Sequence, residues 1–152
     1  MNKIAVFPGS FSPFTKGHQA VVHSGLKLFD KIIIAIGINQ EKNEYFSIEE
    51  RMKWINDIYR KYPNVSVERY KGLTVDFCKK MKGYFIVRGL RDSNDFKFEK
   101  KIAQMNKKLN PKIETIFIIT PPEYSHISSS MLRDIMKNKG DISKFIPKEI
   151  EL

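Results

Sequence analysis

The chain of 152 residues carries 27 basic and 17 acidic side chains, with 41% hydrophobic and 29% charged residues. This length and balance fit a globular protein with a real core and exclude a disordered chain, and the single cysteine, Cys78, excludes an internal disulfide. The formal net charge of +10 indicates anionic partners without choosing among nucleic acid, phosphorylated metabolites and acidic surfaces.

Neither a membrane helix nor a secretory leader is predicted. The longest apolar run, IIIAIGI at 32–38, falls well short of the roughly 20 residues that span a bilayer. The first residues, MNKIAVF, lack the apolar segment of a signal peptide. We therefore predict a cytoplasmic protein with no membrane partner, folded as a single domain over 1–152.

Strand patterns alternate with helix patterns along the whole chain. Strands are predicted at 3–7, 31–38, 65–70, 84–89 and 115–120. Helices are predicted at 18–29, 47–62, 74–81, 95–109 and 128–140. This alternation predicts an α/β, Rossmann-like fold, in which a five-stranded parallel sheet of order 3-2-1-4-5 carries helices on both faces.

The segment PGSFSPFTKGH, at 8–18, joins the first strand to the first helix and is rich in residues that suit phosphate. Gly9 lets the backbone approach a ligand, Ser10 and Ser12 supply hydroxyls, and the start of the helix presents free N–H groups. His18 lies at this helix start, where it would face an anion. A histidine that caps or packs against the helix is the alternative.

Two arginines follow the fourth strand in the motif RGLR. In the predicted strand order, the carboxyl ends of the first and fourth strands flank the point at which ligands bind. Arg88 and Arg91 therefore face the same crevice as the first turn, and the guanidinium fork suits phosphate oxygens. The alternative is that both arginines pair with Asp92 or Asp95 at the surface.

Three further features near this crevice are weaker evidence when taken alone. Serines 128–130 open the last helix, either as an anion cradle with Arg133 a turn later or as a helix cap with spare hydroxyls. Glu99 either hydrogen-bonds a ribose or pairs with nearby lysines, and its spacing favours the pairing. Lys42, in the loop after the second strand, has the ordinary alternative of a solvated lysine.

The sequence offers no evident nucleophile or general base. It contains no zinc-type cluster of His and Cys and no G-x-S-x-G motif, and its cysteine lies in an amphipathic stretch. Phosphate binders without a nucleophile indicate a reaction in which the enzyme orients two anions and stabilises charge at phosphorus.

These motifs resemble those of a known superfamily. PGSFSPFTKGH is similar to the (H/T)xGH nucleotidyltransferase signature, with TKGH at 15–18, and ISSSMLR, at 127–133, is similar to its second signature. RGLR followed by DFKFE, with ISSS at this distance, is more specific. It resembles the bacterial phosphopantetheine adenylyltransferases over residues 2–148.

The resemblance implies transfer of AMP from ATP to 4′-phosphopantetheine, with Mg²⁺ as cofactor and a homohexamer as the assembly. We predict an in-line displacement without a covalent intermediate. The catalytic residues implied are His18, as transition-state stabiliser, Lys42 and Arg91. The phosphopantetheine site implied consists of Ser10, Lys42, Thr74 and Arg88. The ATP site implied consists of Ser10, Phe11, His18, Gly89, Leu90, Arg91, Glu99, Tyr124, Ser125, His126, Ile127, Ser128, Ser129 and Ser130. No protein ligand to a metal is predicted.

Three positions depart from the family pattern. Ser10 stands where threonine is usual, which preserves the hydroxyl, and Phe98 stands where tyrosine is common. Ser12 replaces a common aspartate, which removes a carboxylate beside the phosphates and leaves open how this turn is braced.

Two alternative functions remain. The first is a sister transferase that acts on nicotinamide mononucleotide or a polyol phosphate. The second is a nucleic-acid-binding module, which the net charge of +10 suggests but the dispersed basic residues disfavour, so we expect no nucleic-acid partner.

Overall fold

Five parallel strands form one sheet in the computed structural model, which describes residues 2–39 and 44–152. The strands are β1 (Ile4–Gly9), β2 (Lys31–Gly37), β3 (Val65–Tyr70), β4 (Phe85–Leu90) and β5 (Glu114–Ile119). Their order is β3-β2-β1-β4-β5 and every neighbouring pair is parallel. The predicted order 3-2-1-4-5 and the Rossmann-like class are confirmed.

The internal strand β2 is apolar throughout because both of its faces are buried. Ile32, Ile34 and Ile36 belong to one core cluster, and Ile33 and Ala35 belong to a second. Side chains of a strand alternate between the two faces, so the two clusters lie on opposite sides of the sheet.

Helices cover both of these faces, as predicted. The helices are α1 (Lys16–Gly25), α2 (Ile48–Ile58), α3 (Thr74–Met81), α4 (Ser93–Leu109) and α5 (Ser129–Lys137). Helices α1, α2 and α5 supply apolar side chains to the first cluster, which include Val22, Ile55 and Leu132. Helix α3 supplies Val75, Phe77 and Cys78 to the second.

Three predicted helices end earlier than expected, among them α5, which ends at Lys137 rather than at 140. Helix α1 ends at Gly25 rather than at 29, because the chain turns there against β2, where a Cβ at Gly25 would lie 2.7 Å from Cδ1 of Ile32. Phe29 is nevertheless buried in the loop that follows. Helix α2 begins with a capping box of Ser47 and Glu50 but ends at Ile58 rather than at 62.

Cys78, which the sequence places in an amphipathic stretch, is fully buried in the second core cluster. Burial raises the pKa of its thiol to about 11, so the thiol stays protonated near neutral pH. Within residues 2–39 and 44–152, none of the helices combines the length and the apolar character needed to cross a bilayer.

Candidate functional site

A crevice of two adjoining cavities opens at the carboxyl ends of β1 and β4, where the strand order reverses. The α1 pocket, of about 340 Å³, is lined by the start of α1, the start of α5 and the end of β4. The α4 pocket, of about 470 Å³, is lined by α4, β3 and the start of α3. The two pockets share Pro8, Gly9, Ser10, Arg88 and Glu99.

The turn at 8–15, which we call the phosphate turn, is fastened by arginines through its own carbonyl groups. Arg88 of β4 donates to Pro8 O, Arg51 of α2 donates to Ser10 O at 2.7 Å, and Arg133 of α5 donates to Ser12 O at 2.6 Å. The hydroxyl of Ser129 donates to Pro13 O at 2.8 Å. These bonds brace the turn without a carboxylate at position 12.

Arg51 was missed by the sequence reasoning. A signal for it exists, since Arg51 occupies the register of the buried face of α2 with Ile55 and Ile58, which makes a charged residue there unusual. A buried charge needs partners, and one partner of Arg51, the carbonyl of Ser10, lies 41 residues away in the chain.

Phe11 adopts a backbone conformation that non-glycine residues seldom adopt, with φ of 47°. Its ring lies edge-on to Phe7 and to His18, with centroid distances of 5.1 and 5.0 Å. A Cβ at Gly9 would lie 2.9 Å from Cζ of Phe11, so the small residue at position 9 is required by this ring. The ring of Phe11 therefore fills the space that a side chain at position 9 would occupy.

His18 combines the two interpretations that the sequence left open. It caps α1, because its ring Nδ1 accepts the backbone N–H of Thr15 at 3.0 Å. The backbone N–H of His18 in turn donates to the hydroxyl of Thr15 at 3.2 Å. It also lines the α1 pocket. Since Nδ1 is the acceptor, the neutral ring carries its proton on Nε2, where it is a donor.

Burial, together with the positive charges of Arg88 and Arg91, lowers the pKa of His18 from 6.5 to about 3. The imidazole of the free protein is therefore neutral across the physiological range. As the pH falls, His18 is protonated in the unfolded chain, with a pKa of 6.5, before it is protonated in the folded protein. The contribution of His18 to the free energy of unfolding is therefore lost as the pH falls from 6.5 towards about 3.

We expect ¹⁵N–¹H spectra of the free protein to show His18 as the neutral Nε2–H tautomer at about pH 5, a pH at which an ordinary histidine is charged. A charged His18 at that pH would contradict the assignment.

Arg88 and Glu99 form a bidentate pair between the two pockets. Nε and Nη2 of Arg88 donate to the two carboxylate oxygens of Glu99 at 3.0 and 2.7 Å. The predicted alternative that Arg88 pairs with Asp92 or Asp95 is wrong, because Arg88 pairs with Glu99. The predicted pairing of Glu99 with a nearby lysine is wrong for the same reason. Of the five N–H groups of Arg88, three are engaged and two remain for a ligand.

Arg91 pairs with Asp95, as one of the two alternatives predicted. Its Nε and Nη2 donate to the carboxylate at 3.0 and 3.1 Å, and Nη1 points towards Ile127 O at 3.4 Å. Arg91 also lines the α1 pocket. The ion pair therefore fixes the guanidinium at the pocket wall without removing it from the crevice.

The three serines at the start of α5 have different partners. Ser128 is the N-cap, with its hydroxyl accepting the N–H of Met131 at 3.2 Å. Ser129 bonds the phosphate turn, and the Ser130 hydroxyl lies 3.3 Å from that of Ser128. All three line the α1 pocket beside the start of this helix, so the helix is capped and its serines also face the crevice.

The α4 pocket contains Thr74, whose hydroxyl lies 2.9 Å from that of Tyr70. Tyr70 in turn stacks on Phe77 with a centroid distance of 4.8 Å. The apolar wall of the α4 pocket comes from Ile102 and Ala103 of α4. The lining of the α4 pocket is therefore more apolar than that of the α1 pocket, in which arginines and serines predominate.

The crevice brings together most, but not all, of the predicted site residues. Those lining the α1 pocket are Ser10, Phe11, His18, Arg88, Gly89, Arg91, Glu99, Ile127, Ser128, Ser129 and Ser130. Leu90, Tyr124, Ser125 and His126 line neither pocket. Lys42 lies outside the described residues, so its role stays a prediction.

Carboxylates at the crevice are already paired. Asp95 and Glu99 are the acidic residues of its described lining, and each is bound to an arginine. In the part of the chain that the structure describes, no cluster of His, Cys, Asp and Glu is arranged to hold a metal ion. The described lining therefore does not form a dedicated protein cage for a metal.

Comparison with known proteins gives a consistent family. The cytidylyltransferase-like family model matches residues 6–135. The chain is 51% identical to the phosphopantetheine adenylyltransferase of Cytophaga hutchinsonii over 99% of its own length and 100% of the relative's. It is 49% identical to that of Flavobacterium psychrophilum, with 97% of each chain covered.

A solved structure shares the fold at low sequence identity. It is the bifunctional NMN adenylyltransferase/ADP ribose pyrophosphatase from Francisella tularensis, with a TM-score of 0.72 and 21% identity. The match covers 96% of this chain and 45% of that longer chain. It supports the fold alone.

Proposed function

This chain belongs to the phosphopantetheine adenylyltransferase family, and from that premise we propose how its crevice performs the reaction. The enzyme is a nucleotidyltransferase that moves AMP from ATP to 4′-phosphopantetheine, which yields dephospho-coenzyme A and pyrophosphate. This reaction belongs to coenzyme A biosynthesis.

The observation that carries the proposal is the junction of the two pockets. ATP binds in the α1 pocket, where the starts of α1 and α5 present N–H groups and hydroxyls to its phosphates. Phosphopantetheine binds in the α4 pocket, with its amide-bearing arm against Thr74 and the apolar wall of α4. The reacting phosphates meet at Ser10 and Arg88, which belong to both pockets.

The chemical step is one displacement at the α-phosphorus of ATP. A phosphate oxygen of phosphopantetheine forms the new bond to this phosphorus, and the bond to the bridging oxygen of pyrophosphate breaks. Since the second pKa of a phosphate monoester is about 6, the attacking group is mostly ionised at neutral pH and needs no general base. Positioning and charge stabilisation therefore supply the catalysis.

His18 donates its Nε2–H to an oxygen of the α-phosphate as negative charge builds there. The bond from Thr15 to Nδ1 supports this role, because it fixes the tautomer before substrate arrives. Arg91 and Lys42 supply positive charge to the phosphates of the two substrates, and Arg88 offers its two remaining N–H groups to the incoming phosphate.

Mg²⁺ would be held in this crevice through the phosphates of ATP rather than by a cage of protein ligands. This arrangement fits the arginine-paired carboxylates of the described lining, and Mg²⁺ commonly binds through substrate phosphates with few protein ligands. The ion supplies neutralisation of phosphate charge. Calorimetry should show binding of MgATP but no binding of Mg²⁺ alone at millimolar concentration, and tight binding of the free ion would contradict this view.

The assembly is a homohexamer. Support comes from family membership and from apolar side chains left exposed on α4 and β5, among which Phe98, Met105 and Ile119 are 67%, 63% and 79% exposed. Light scattering after size exclusion should give six times the chain mass of 17.8 kDa, and a stable monomer would contradict the assembly.

The enzyme works in the cytoplasm, where ATP is abundant. Its family and the absence of a membrane-spanning helix among the described residues are consistent with this location. Fractionation should recover it with cytoplasmic markers, and recovery with the envelope would contradict the proposal.

A substrate panel tests the function. Pyrophosphate release is measured with phosphopantetheine, nicotinamide mononucleotide and polyol phosphates, each with ATP and with CTP. We expect turnover with phosphopantetheine and ATP that exceeds the others by orders of magnitude. No release with that pair, or a preference for nicotinamide mononucleotide, would overturn the assignment.

A further inference from the structure

Arg51 is a charged residue with a buried side chain. Its side chain is 1% exposed, and it lines neither the α1 pocket nor the α4 pocket. It cannot contact substrate in these cavities, yet removing a guanidinium from water is costly unless its donors are satisfied. Its partners therefore indicate what it does.

The donors of Arg51 join the phosphate turn to the stretch of chain that leads into α2. Nη1 donates to Ser10 O at 2.7 Å, Nε donates to Ser47 O at 3.3 Å, and Nη2 lies 3.2 Å from Oε2 of Glu44. Ser47 is the N-cap of the helix that carries Arg51, so the guanidinium is anchored to a rigid element. Glu44 follows Lys42 by two positions in the sequence.

The bond to Ser10 acts on a backbone that is held in an unfavourable conformation. Phe11, the next residue, has φ of 47°, which persists only where neighbouring contacts enforce it. Arg51 holds the carbonyl before Phe11, and Arg133 holds the carbonyl after it, at Ser12. Two arginines from different helices therefore bracket the strained residue.

The conformation of Phe11 matters to the site because of where its ring lies. The ring packs edge-on against His18 with a centroid distance of 5.0 Å, and Phe11 itself is 3% exposed. A change in the backbone at Ser10 and Phe11 would move both the Ser10 hydroxyl and the aromatic wall that orients the imidazole. Displacements of about 1 Å at such groups cost up to about 10²-fold in rate.

We propose that Arg51, anchored by Glu44, is a positioning residue that holds the phosphate turn in its catalytic conformation. It acts through the carbonyl of Ser10 and never touches the substrates. This inference rests on the proposed adenylyl transfer for its kinetic consequence. Its structural consequence, a turn that is rigid before substrate binds, is independent of which substrate the enzyme uses.

The kinetic test compares Arg51→Met with Ile58→Ala, a substitution on the buried face of the same helix that removes packing from the core but removes no hydrogen bond to the turn. Both are assayed with phosphopantetheine and ATP below their melting temperatures. We expect kcat of Arg51→Met to fall by about tenfold or more, while Ile58→Ala keeps a kcat close to the wild-type value. Equal kcat values for the two variants would show that Arg51 is merely structural and would overturn the proposal.

Arg51→Lys and Glu44→Gln complete the kinetic set. Lysine retains the charge but carries its donors on a single nitrogen, so we expect a kcat between those of the wild type and Arg51→Met. Glu44→Gln keeps the side-chain size but loosens the anchor, so we expect a smaller loss. If Arg51→Met does not fold, Arg51→Lys decides, and a wild-type kcat in that variant would overturn the proposal.

Hydrogen–deuterium exchange of the free protein separates this inference from the function. We expect the amides of the phosphate turn to exchange faster in the Arg51 variants than in Ile58→Ala. Unchanged exchange there would overturn the positioning role even in an active enzyme. An inactive wild type with faster exchange in the variants would refute the proposed substrates and leave the positioning role supported.

Discussion

The His18→Ala variant should bind ATP with near-normal affinity and turn it over about 10²–10³ times more slowly, since one preorganised donor to the developing charge is lost. The affinity is retained because the helix starts and arginines of the α1 pocket remain. The measurement is kcat from pyrophosphate release, together with the dissociation constant of ATP from calorimetry.

Alanine also removes a helix cap, because Nδ1 of His18 accepts the N–H of Thr15. The matched control is His18→Asn, whose amide oxygen can take the place of Nδ1 while nothing replaces Nε2–H. We expect this variant to have a melting temperature closer to that of the wild type and the same loss of turnover as the alanine variant. Wild-type turnover in either variant would refute the role of His18.

The Arg88→Ala variant should lose both stability and activity. A second substitution, at Glu99, should restore stability but not activity. Glu99 is 8% exposed, so removing its partner leaves a carboxylate buried without compensation. Breaking a buried pair costs about 3–5 kcal/mol, and we expect the lower end because the side chain of Arg88 is 31% exposed. Denaturant titration measures this loss in the free energy of unfolding.

The double variant Arg88→Ala/Glu99→Ala tests whether the loss of stability and the loss of activity have separate causes. Removing the orphaned carboxylate should restore a large part of the stability. It should not restore activity, because the two N–H groups that Arg88 offers to the incoming phosphate are still missing. A double variant with wild-type KM for phosphopantetheine and wild-type kcat would show that Arg88 serves the fold alone.

The sequence was sufficient for the sheet and for the location of the crevice. The continuous apolar run of β2 predicted a strand buried on both faces, and the alternation of elements predicted the strand order. Because ligands bind where strand order reverses, topology pointed to Ser10 and Arg88. These signals are local or periodic, which is why they can be read from a single sequence.

The partners of the charged residues could not be predicted in the same way. Arg88 pairs with Glu99 across 11 positions, Arg51 with Ser10 O across 41, and Arg133 with Ser12 O across 121. Each contact depends on where side chains meet after the sheet has formed, and no periodicity encodes it. Spacing therefore misassigned Glu99, and although it placed Arg51 on the buried face of α2, it did not indicate which atoms Arg51 would bind.

The end of α1 illustrates the same limit for secondary structure. The apolar spacing of Val22, Leu26 and Phe29 predicted a helix to 29, and all three residues do pack against the core. The helix nevertheless ends at Gly25, where close contact with Ile32 of β2 leaves no room for a side chain. Tertiary packing thus overrides a local pattern at this position.

The central claim is that the crevice transfers AMP in a single in-line displacement, with no enzyme nucleophile. The most direct measurement uses ATP that is chiral at the α-phosphorus through a sulfur substitution, with phosphopantetheine as acceptor. We predict a dephospho-coenzyme A thiophosphate whose configuration at phosphorus is inverted. Retention of configuration would reveal two successive displacements through a covalent adenylyl-enzyme and would contradict the account.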